Sequence, residues 1–458
     1  MTARVRVVSC VLAMLVALNA QAEWEYELSP GLSVHAGLRA GFAAVSMDNA
    51  NLGLGQVDYR TRERANDPSW SETAIEPIVG FSSSGGWYGQ ASVVGAATFF
   101  DGDPLGFTHG GDGSFDLETA YLGWRSAAPE DDMQRPAIDL SVGRQTMDIG
   151  DGFLIDDGNF DLGNEGGVWL VPRQAFQRTL RARIDYRAVH ADLFFLEADP
   201  DNDEPALAGT NLEYQFFNGG HLGLLYAHIL DTDRPRLFAA REGMDVLSVR
   251  INDLRFAALP QVAWWGEATR EFGAGRYGSF SASAWYGEGI YTFERLPWRP
   301  RLSYRYAYFS GDGQTTDTRR RDFDPLFYGF DKRSWGTWFQ GEVTGGWLLF
   351  NNNQRNHLLH LAASPSARVT VGLIGGTFEL AKGNYRGVPV SKRHFADELN
   401  VYTDWIVHKT LTLAPPMASC SPAPAQCRPS AMTALCTCSN WGFTSSIEGG
   451  KYGLFVSP

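Results

Sequence analysis

An apolar–polar alternation of period two, renewed from one end of the chain to the other, most limits what this sequence can fold into. Leu180, Ala182, Ile184 and Tyr186 alternate with Arg181, Arg183, Asp185 and Arg187, and Leu302, Tyr304, Tyr306 and Tyr308 with Arg301, Ser303, Arg305 and Ala307. Phe115, Leu117 and Tyr121 alternate with Asp116, Glu118 and Ala120. Ile138, Leu140 and Val142 do so with Asp139, Ser141 and Gly143, and Leu399, Val401 and Trp405 with Glu398, Asn400 and Asp404. Successive side chains of a strand point to opposite faces, so each segment reads as a strand with one apolar face. The pattern predicts strands near 33–45, 71–82, 87–100, 114–125, 136–147, 174–188, 190–198, 209–217, 220–230, 244–252, 257–270, 276–292, 300–310, 352–363, 367–378 and 395–407, with another starting at Thr410.

The connections alternate in length. Short ones are 83–86, Val189 alone, 218–220, 297–300 and 364–367. Long ones are 46–70, 101–113, 148–173, 199–208, 231–243, 311–351 and 379–394, with 271–275 a shorter member of the same set. Short turns on one rim and long loops on the other are the layout of a transmembrane β-barrel. In lipid the sheet must close so that no strand edge is left unpaired, with apolar residues toward acyl chains and polar ones toward a wet lumen. A soluble all-β sandwich or surface adhesin would bury its apolar face and would not need the two loop classes to take turns. The fold class is therefore all-β, an antiparallel up-and-down transmembrane barrel. Composition adds two exclusions: 13% aromatic residues is too many for a disordered chain, and 52 acids against 39 Lys and Arg argue against a nucleic-acid partner.

Arg4 and Arg6 precede an apolar run, Val7 to Leu18, and Ala20-Gln21-Ala22 gives a small-x-small site ahead of Glu23. This is the layout of a secretory signal peptide, 1–22, cleaved near Ala22, which directs the chain to the cell outer membrane. Val7-Val8-Ser9-Cys10 looks like a lipoprotein box, but it sits ahead of most of the apolar run, which argues against lipidation. No cysteine occurs over 23–419, whereas Cys420, Cys427, Cys436 and Cys438 crowd together, so the body is no disulfide scaffold.

Enzyme signatures are absent: there is no G-x-S-x-G elbow, no Walker loop and no H-E-x-x-H. His357 and His360 lack the spacing and base of a zinc protease and read as barrel-wall histidines. Asp199, Asp201 and Asp203 imitate the start of an EF-hand loop, but Glu204 stands where glycine is needed and Thr210 where the bidentate glutamate belongs. Loose calcium binding by an acidic surface loop stays open. Trp335, Phe339, Val343 and Trp347 recur every four residues within a long loop. That spacing suits a short amphipathic helix or lid, though loop packing on the rim is the preferred reading. No cofactor, metal or catalysis is implied.

The informative residues are charges on the inward parity: Arg181, Arg183, Arg187, Arg250 and Arg305, with Glu118, Asp185, Asp192, Glu267, Glu398 and Asp404. An arginine on the lipid face costs about 2–4 kcal/mol at the midplane, so the lumen is their place. They either brace a wide barrel as pairs or steer and select an anionic solute. For Arg250 and Arg305 the two readings are evenly matched, while three inward arginines against one aspartate in the strand at 176–188 favour selection.

Several motifs carry a family resemblance. They are Gly143-Arg144-Gln145, Gly150-Asp151-Gly152-Phe153-Leu154 with Asp157-Gly158-Asn159, and Arg301-Leu302-x-Tyr304 through Ser310-Gly311-Asp312. Phe323 to Gly329, Trp335 to Glu342 and Phe395 to Leu399 add to them. Over about residues 30–410 the chain resembles the alginate export family of outer-membrane porins. The resemblance implies a barrel of 18 strands with an arginine-rich lumen that passes an anionic polyuronate. The partners that follow are an anionic carbohydrate or small organic anion, outer-membrane lipid and the barrel assembly machinery. A general diffusion porin is the alternative within transport.

The end of the chain departs from that pattern. A last strand should close on the first, yet 414–440 is rich in Pro, Ala, Ser and Cys. The organisation is thus a leader over 1–22, a barrel over 23–413 and an aberrant tail over 414–458, read as a shifted frame or, alternatively, a periplasmic tail stapled by disulfides. Closure would fall to Asn440–Val456, which Gly449-Gly450 interrupts. Resequencing the 3′ end of the gene is expected to restore an alternating strand ending in an aromatic residue. An unchanged sequence, together with abundant protein whose gel migration shifts on boiling, overturns the frame-shift reading.

Overall fold

The computed structural model of the chain describes residues 10–50, 55–58, 60–126, 135–158, 166–199, 205–217, 219–232, 241–276, 278–314, 317–329, 341–385, 388–408, 411–414 and 417–422. Among the described residues the main sheet has 21 strands, of which nineteen make the wall: β1 (Cys10–Ser29), β2 (Leu32–Asp48), β3 (Ser69–Ser83), β4 (Trp87–Phe100), β5 (Gly113–Arg125), β6 (Ala137–Gln145), β7 (Phe176–Tyr186), β8 (Val189–Glu197), β9 (Pro205–Gln215) and β10 (His221–Thr232), then β11 (Met244–Phe256), β12 (Leu259–Gly275), β13 (Ala282–Thr292), β14 (Arg301–Phe309), β15 (Gln354–Ser366), β16 (Val369–Leu380), β17 (His394–His408), β18 (Leu411–Leu413) and β19 (Met417–Pro422). The expected strands are all present, as β2 to β17. The link foreseen at 271–275 instead continues β12, and Val189 opens β8 rather than forming a turn.

Each strand pairs antiparallel with the next in sequence from β1 to β17. β17 then pairs with β18 and β19, and both pair back to β1. Because β18 and β19 share one place in succession, the pairings pass through 18 positions and return to their start. Leu140, Val142, Leu180, Ile184, Leu193, Val249, Leu302 and Leu359 project outward and are exposed, as a lipid-facing wall requires. Trp87, Tyr186, Tyr214, Phe256 and Trp298 gather near the short turns, and Phe99, Phe100, Phe115 and Phe272 near the long loops, as two aromatic belts. Pro77 sits inside β3, where the ladder to β4 skips from Ile75 to Ile78, so its missing N–H leaves no gap elsewhere.

Two irregularities shift the inward parity. β5 bulges at Glu118, which falls between the partners of Ser92 and Val93 on β4, and beyond it Leu122 rather than Tyr121 takes the exposed outward position. Tyr121 therefore packs edge-on against Tyr88 with ring centroids 6.2 Å apart. A second register shift falls between Gly143 and Gln145. Gly143 holds φ at 129°, where a Cβ would meet the Ala120 carbonyl at 2.3 Å, and this turns Arg144 from the lipid side to a buried position.

The inner face is not polar throughout. Near the long loops the inward residues are apolar: Phe194, Leu196, Leu207, Leu225, Ile229, Val246 and Phe309 are buried against Met147, Ile149, Phe153, Leu154, Ile155, Phe323 and Phe327 from two inward-folded loops. The sequence expectation of a polar lumen along whole strands fails there, because loop packing supplies the apolar partner that lipid supplies outside. The segment expected as a short helix or rim loop is partly described: Glu342–Leu349 forms a π-helical stretch, and Val343, Leu348 and Leu349 lie in a second core with Trp70, Phe378, Phe395 and Tyr402. Trp335 and Phe339 fall outside the described residues.

The seam between the two ends of the chain is narrow. β1 contributes Leu18 to Ala20 opposite Leu413 to Leu411, and Cys10 to Ala13 opposite Cys420 to Met417. Both stretches fall within the expected leader. β1 begins within the expected leader, and Met417–Pro422 lies beyond the expected barrel limit of 413; it carries its only proline at its end and so still offers ladder donors. Asn440–Val456 and Cys427, Cys436 and Cys438 lie outside the described residues. Cleavage after Ala22 removes every pair that β1 makes with β18 and β19. A chain starting at Glu23 is therefore expected to show fast amide exchange at the alternate residues of 38–48 whose N–H groups point to β1, while those turned to β3, and 33–37, still paired with Glu23 to Glu27, stay protected. Equal protection along β2 would show that another strand takes the vacated place.

Candidate functional site

Carboxylates on the wall fix the inward-folded loops through backbone N–H groups. Glu72 on β3 accepts from Trp169 N at 2.9 Å, from Leu170 N at 2.9 Å and from the Trp70 indole at 2.9 Å. Glu118 on β5 accepts from Gln174 N and Ala175 N, both at 2.9 Å. Together these two glutamates hold the segment 166–175 from adjoining parts of the wall. Glu398 on β17 accepts from Val343 N at 3.3 Å and Thr344 N at 2.7 Å, capping the first turn of the π-helical stretch. Two or three N–H donors converge on each of these buried carboxyl groups, so they are firm anchors.

The two loops that carry the sequence motifs meet inside the barrel. Ile155 bridges to Phe327, and Asp156 N and Asp157 N donate to the Phe327 carbonyl at 2.8 and 3.0 Å. Asp151 is buried and accepts from Asn252 at 2.6 Å and from the Tyr286 hydroxyl at 3.0 Å. Asp324 forms a two-pronged pair with Arg241 and accepts from Leu326 N at 2.9 Å. Burial works to raise the Asp324 carboxyl, but Arg241 outweighs it and holds the group below the usual carboxylate range.

On the short-turn side of this filling lies a cavity of about 670 Å³, lined by Arg181, Arg183, Asp185 and Arg187 of β7 and its turn, by His190 and Asp192 of β8, and by Asn211, Glu213, His221, Arg250 and Trp265. Asp148 and Gly150 of an inward-folded loop also line it. Buried Asp192 is its hub: it takes Arg181 at 3.0 Å, Arg183 at 3.5 Å, His190 at 2.7 Å and Asn211 at 3.1 Å. His190 reaches Asp185 with its other ring nitrogen at 2.6 Å. Arg187 is not on the wall. It holds φ at 54° in the turn before β8, with its guanidinium 5.0 Å from the Tyr186 ring centroid.

The remaining expected residues separate by environment. Arg250 is buried, bonds Asn211 and Glu213, and faces Glu267 across the ladder, while Glu267 accepts from the Ser248 hydroxyl at 2.6 Å. Arg305 pairs with Glu288 on β13 at 2.7 Å, the two side chains only 3% and 2% exposed. Neither arginine has an acid in its own strand at hand: Arg305 takes Glu288 from the neighbouring strand, and Arg250 reaches Glu213 two strands away across Gly223. Arg305 is a brace. Glu118 and Glu398 are loop anchors, and Asp404 stands half-buried on β17, away from the cavity lining. Asp199, of the acidic loop where the sequence leaves loose calcium binding open, is held by Arg144 at 2.5 Å and Arg173 at 3.0 Å, and Asp201, Asp203 and Glu204 lie outside the described residues. His357 meets the Tyr304 hydroxyl and His360 the Tyr402 hydroxyl, as wall histidines.

Glu72, Arg144, Arg173, Glu213, Arg241, Glu288 and Asp324 were not singled out from the sequence as inward charges, although Arg144 and Asp324 stand in the motifs that carry the family resemblance. Glu72, Glu213 and Glu288 stood on inward parity and were findable. Arg144 was hidden by the register shift at Gly143, and Arg173, Arg241 and Asp324 belong to loops with no period. Removing one member of a buried ion pair strands the other at a cost of about 3–5 kcal/mol. Arg305→Met is therefore expected to lower the fraction of barrel that resists unfolding in urea, and Arg305→Met with Glu288→Met to recover most of it, with anion preference unchanged. A lost anion preference in the recovered double variant would instead make Arg305 a selectivity residue.

Sequence comparison with curated proteins finds no relative. Among solved structures the chain is similar to OccK9 (OpdG) of Pseudomonas aeruginosa, at 12% identity and a TM-score of 0.49 over 90% of this chain and 97% of that one. It is similar also to OccK11 (OpdR) of the same organism, at 10% identity and 0.44 over 90% and 95%. OprB of Pseudomonas putida gives 9% and 0.38 over 90% and 93%. The model of the alginate export family matches residues 112–397, more than half of the chain, and spans the inward-folded loops, the anchor Glu118 and the residues that line the cavity. The chain thus belongs to the alginate export family, as an outer-membrane channel.

Proposed function

We propose that the chain is a passive channel favouring an anionic carbohydrate of the alginate-like polyuronate kind, or a small organic acid. The observation that carries this reading is the state of Arg183 and Arg187 at the cavity. The Arg183 side chain is 36% exposed and meets Asp192 only at 3.5 Å, while Arg187 stands exposed over Tyr186. Asp192 is spent on four partners and Glu213 on Arg250 and Asn211. The groups left for a passing solute are thus mainly guanidinium donors, whose planar fork suits carboxylates. Conduction needs sites attractive enough to enter and weak enough to leave, which half-compensated arginines provide.

A broad diffusion pore is the second reading, favoured by the lining itself, where Asp148, Asp185, Asp192, Glu213 and Asp253 stand against Arg181, Arg183, Arg187 and Arg250. Either channel works without cofactor or catalysis. In this reading residues 1–22 serve as the export leader, cleaved near Ala22, and the assembly machinery inserts the barrel so that lipid covers its apolar band.

Reversal potentials in a salt gradient across a planar bilayer test the choice. Arg183→Ala with Arg187→Ala is expected to lower anion-over-cation permeability, and Asp192→Asn, which releases Arg181 and Arg183, to raise it. Added uronates are expected to block the parent channel more than the double variant. Unchanged potentials in both variants would leave the broad pore.

A further inference from the structure

The outward face of the wall carries one basic site that channel function does not use. On β12 the outward residues Trp264, Ala268, Arg270 and Phe272 follow one another, so Arg270 stands on the lipid-facing side of the sheet. Its neighbours across the ladders are Leu247 on β11, exposed and apolar, and Ser283 on β13. A lipid-facing arginine is costly at the bilayer midplane and nearly free of cost at the interface. Its position, toward the long-loop end of β12, therefore marks where acyl chains give way to head groups.

A second arginine comes to the same point from the loop after β14. Arg319 NH2 and Arg270 NH2 each donate to the Ser281 hydroxyl, both at 2.9 Å. The convergence is built into the backbone. Ser279 and Phe280 pair with Arg319 and Arg320, Ser281 N donates to the Arg320 carbonyl at 2.8 Å, and Gly278 at φ 138° lets the Thr318 carbonyl approach where a Cβ would collide. Two guanidinium groups sharing one neutral hydroxyl repel each other unless an anion lies between them.

The acids nearby are engaged elsewhere. Asp317 accepts from the Arg319 backbone N–H at 3.1 Å, but its carboxylate is gripped by Arg321 at 2.8 and 3.0 Å. Asp245, opposite Phe272, takes the Tyr226 hydroxyl at 2.7 Å and His228 at 2.9 Å. Among the described residues no carboxylate forms an ion pair with either Arg270 or Arg319.

We propose that Arg270, Arg319 and Ser281 form a site for the phosphate group of a membrane lipid on the long-loop rim of the barrel. The level in the membrane selects a lipid over a free ion. Trp285 and Phe272 stand exposed on the same outward face for the acyl part, and the two planar forks suit phosphate oxygens. Each basic residue near a charged membrane surface contributes enough to change binding several-fold, so losing both weakens it by about tenfold or more.

The test uses the full-length barrel refolded into detergent micelles, titrated with a lipid bearing a phosphate monoester or with a zwitterionic lipid of the same chains, and read by native mass spectrometry. The parent protein is expected to retain the phosphate-bearing lipid preferentially. Arg270→Ala with Arg319→Ala is expected to lose that preference while still shifting on boiling. Arg270→Lys with Arg319→Lys, which keeps the charge, is expected to retain part of it. Equal retention of the two lipids by the parent, or an unchanged preference in the alanine pair, overturns the site. Full displacement of the lipid by inorganic phosphate overturns the assignment to a lipid.

Discussion

Everything in this molecule follows from the need to pair backbone N–H and C=O groups where water cannot reach them. An unsatisfied peptide group in hydrocarbon costs several kcal/mol, so a chain without a long apolar helix can cross only as a sheet whose ladders go all the way round. In the chain that keeps residues 10–22, the pairings from β1 to β17, and through β18 and β19 back to β1, meet that demand. The demand also shows where the molecule is weakest. Most neighbouring strands share long ladders, whereas β18 and β19 meet β1 over two short stretches.

The same requirement organises the interior. Loops that fold into a barrel bring unpaired N–H groups with them, and the wall supplies acceptors at those points: Glu72 and Glu118 for 169–175, and Glu398 for the start of the π-helical stretch. Apolar loop residues such as Phe153, Leu154 and Phe327 then pack on inward apolar wall residues. One half of the barrel is thereby filled, and the charged cavity is left on the short-turn side.

Charge inside the barrel is mostly compensated, and the degree of compensation separates roles. Arg305 and Glu288 are nearly inaccessible and serve the wall. Asp192 gathers Arg181, Arg183, His190 and Asn211, which fixes β7, β8 and β9 relative to one another. Arg183 and Arg187 line the cavity with less compensation, and the proposed preference for anions rests on them. Outside, Arg270 stands where the apolar band ends, so charge marks the membrane boundary as well as the lumen.

By itself the sequence determined the strands, the alternation of short turns with long loops, and hence a barrel in a membrane, because strand periodicity is local and each residue's face depends only on its neighbours in the chain. It also placed Arg181, Arg183, Asp185 and Asp192 inside for the same reason. Only the tertiary structure decided which charges were spent. Arg250 and Arg305 lacked acids in their own strands, and Glu213 and Glu288 reach them across the sheet, a relation set by register that no local pattern contains. Parity also broke where the backbone bulged, turning Tyr121 and Arg144 inward against the simple count. The loop contacts of Glu118 and Glu398 lie 54 to 57 residues away in the chain. They exist because the barrel brings wall and loop together in a space without water, where a backbone N–H must find an acceptor.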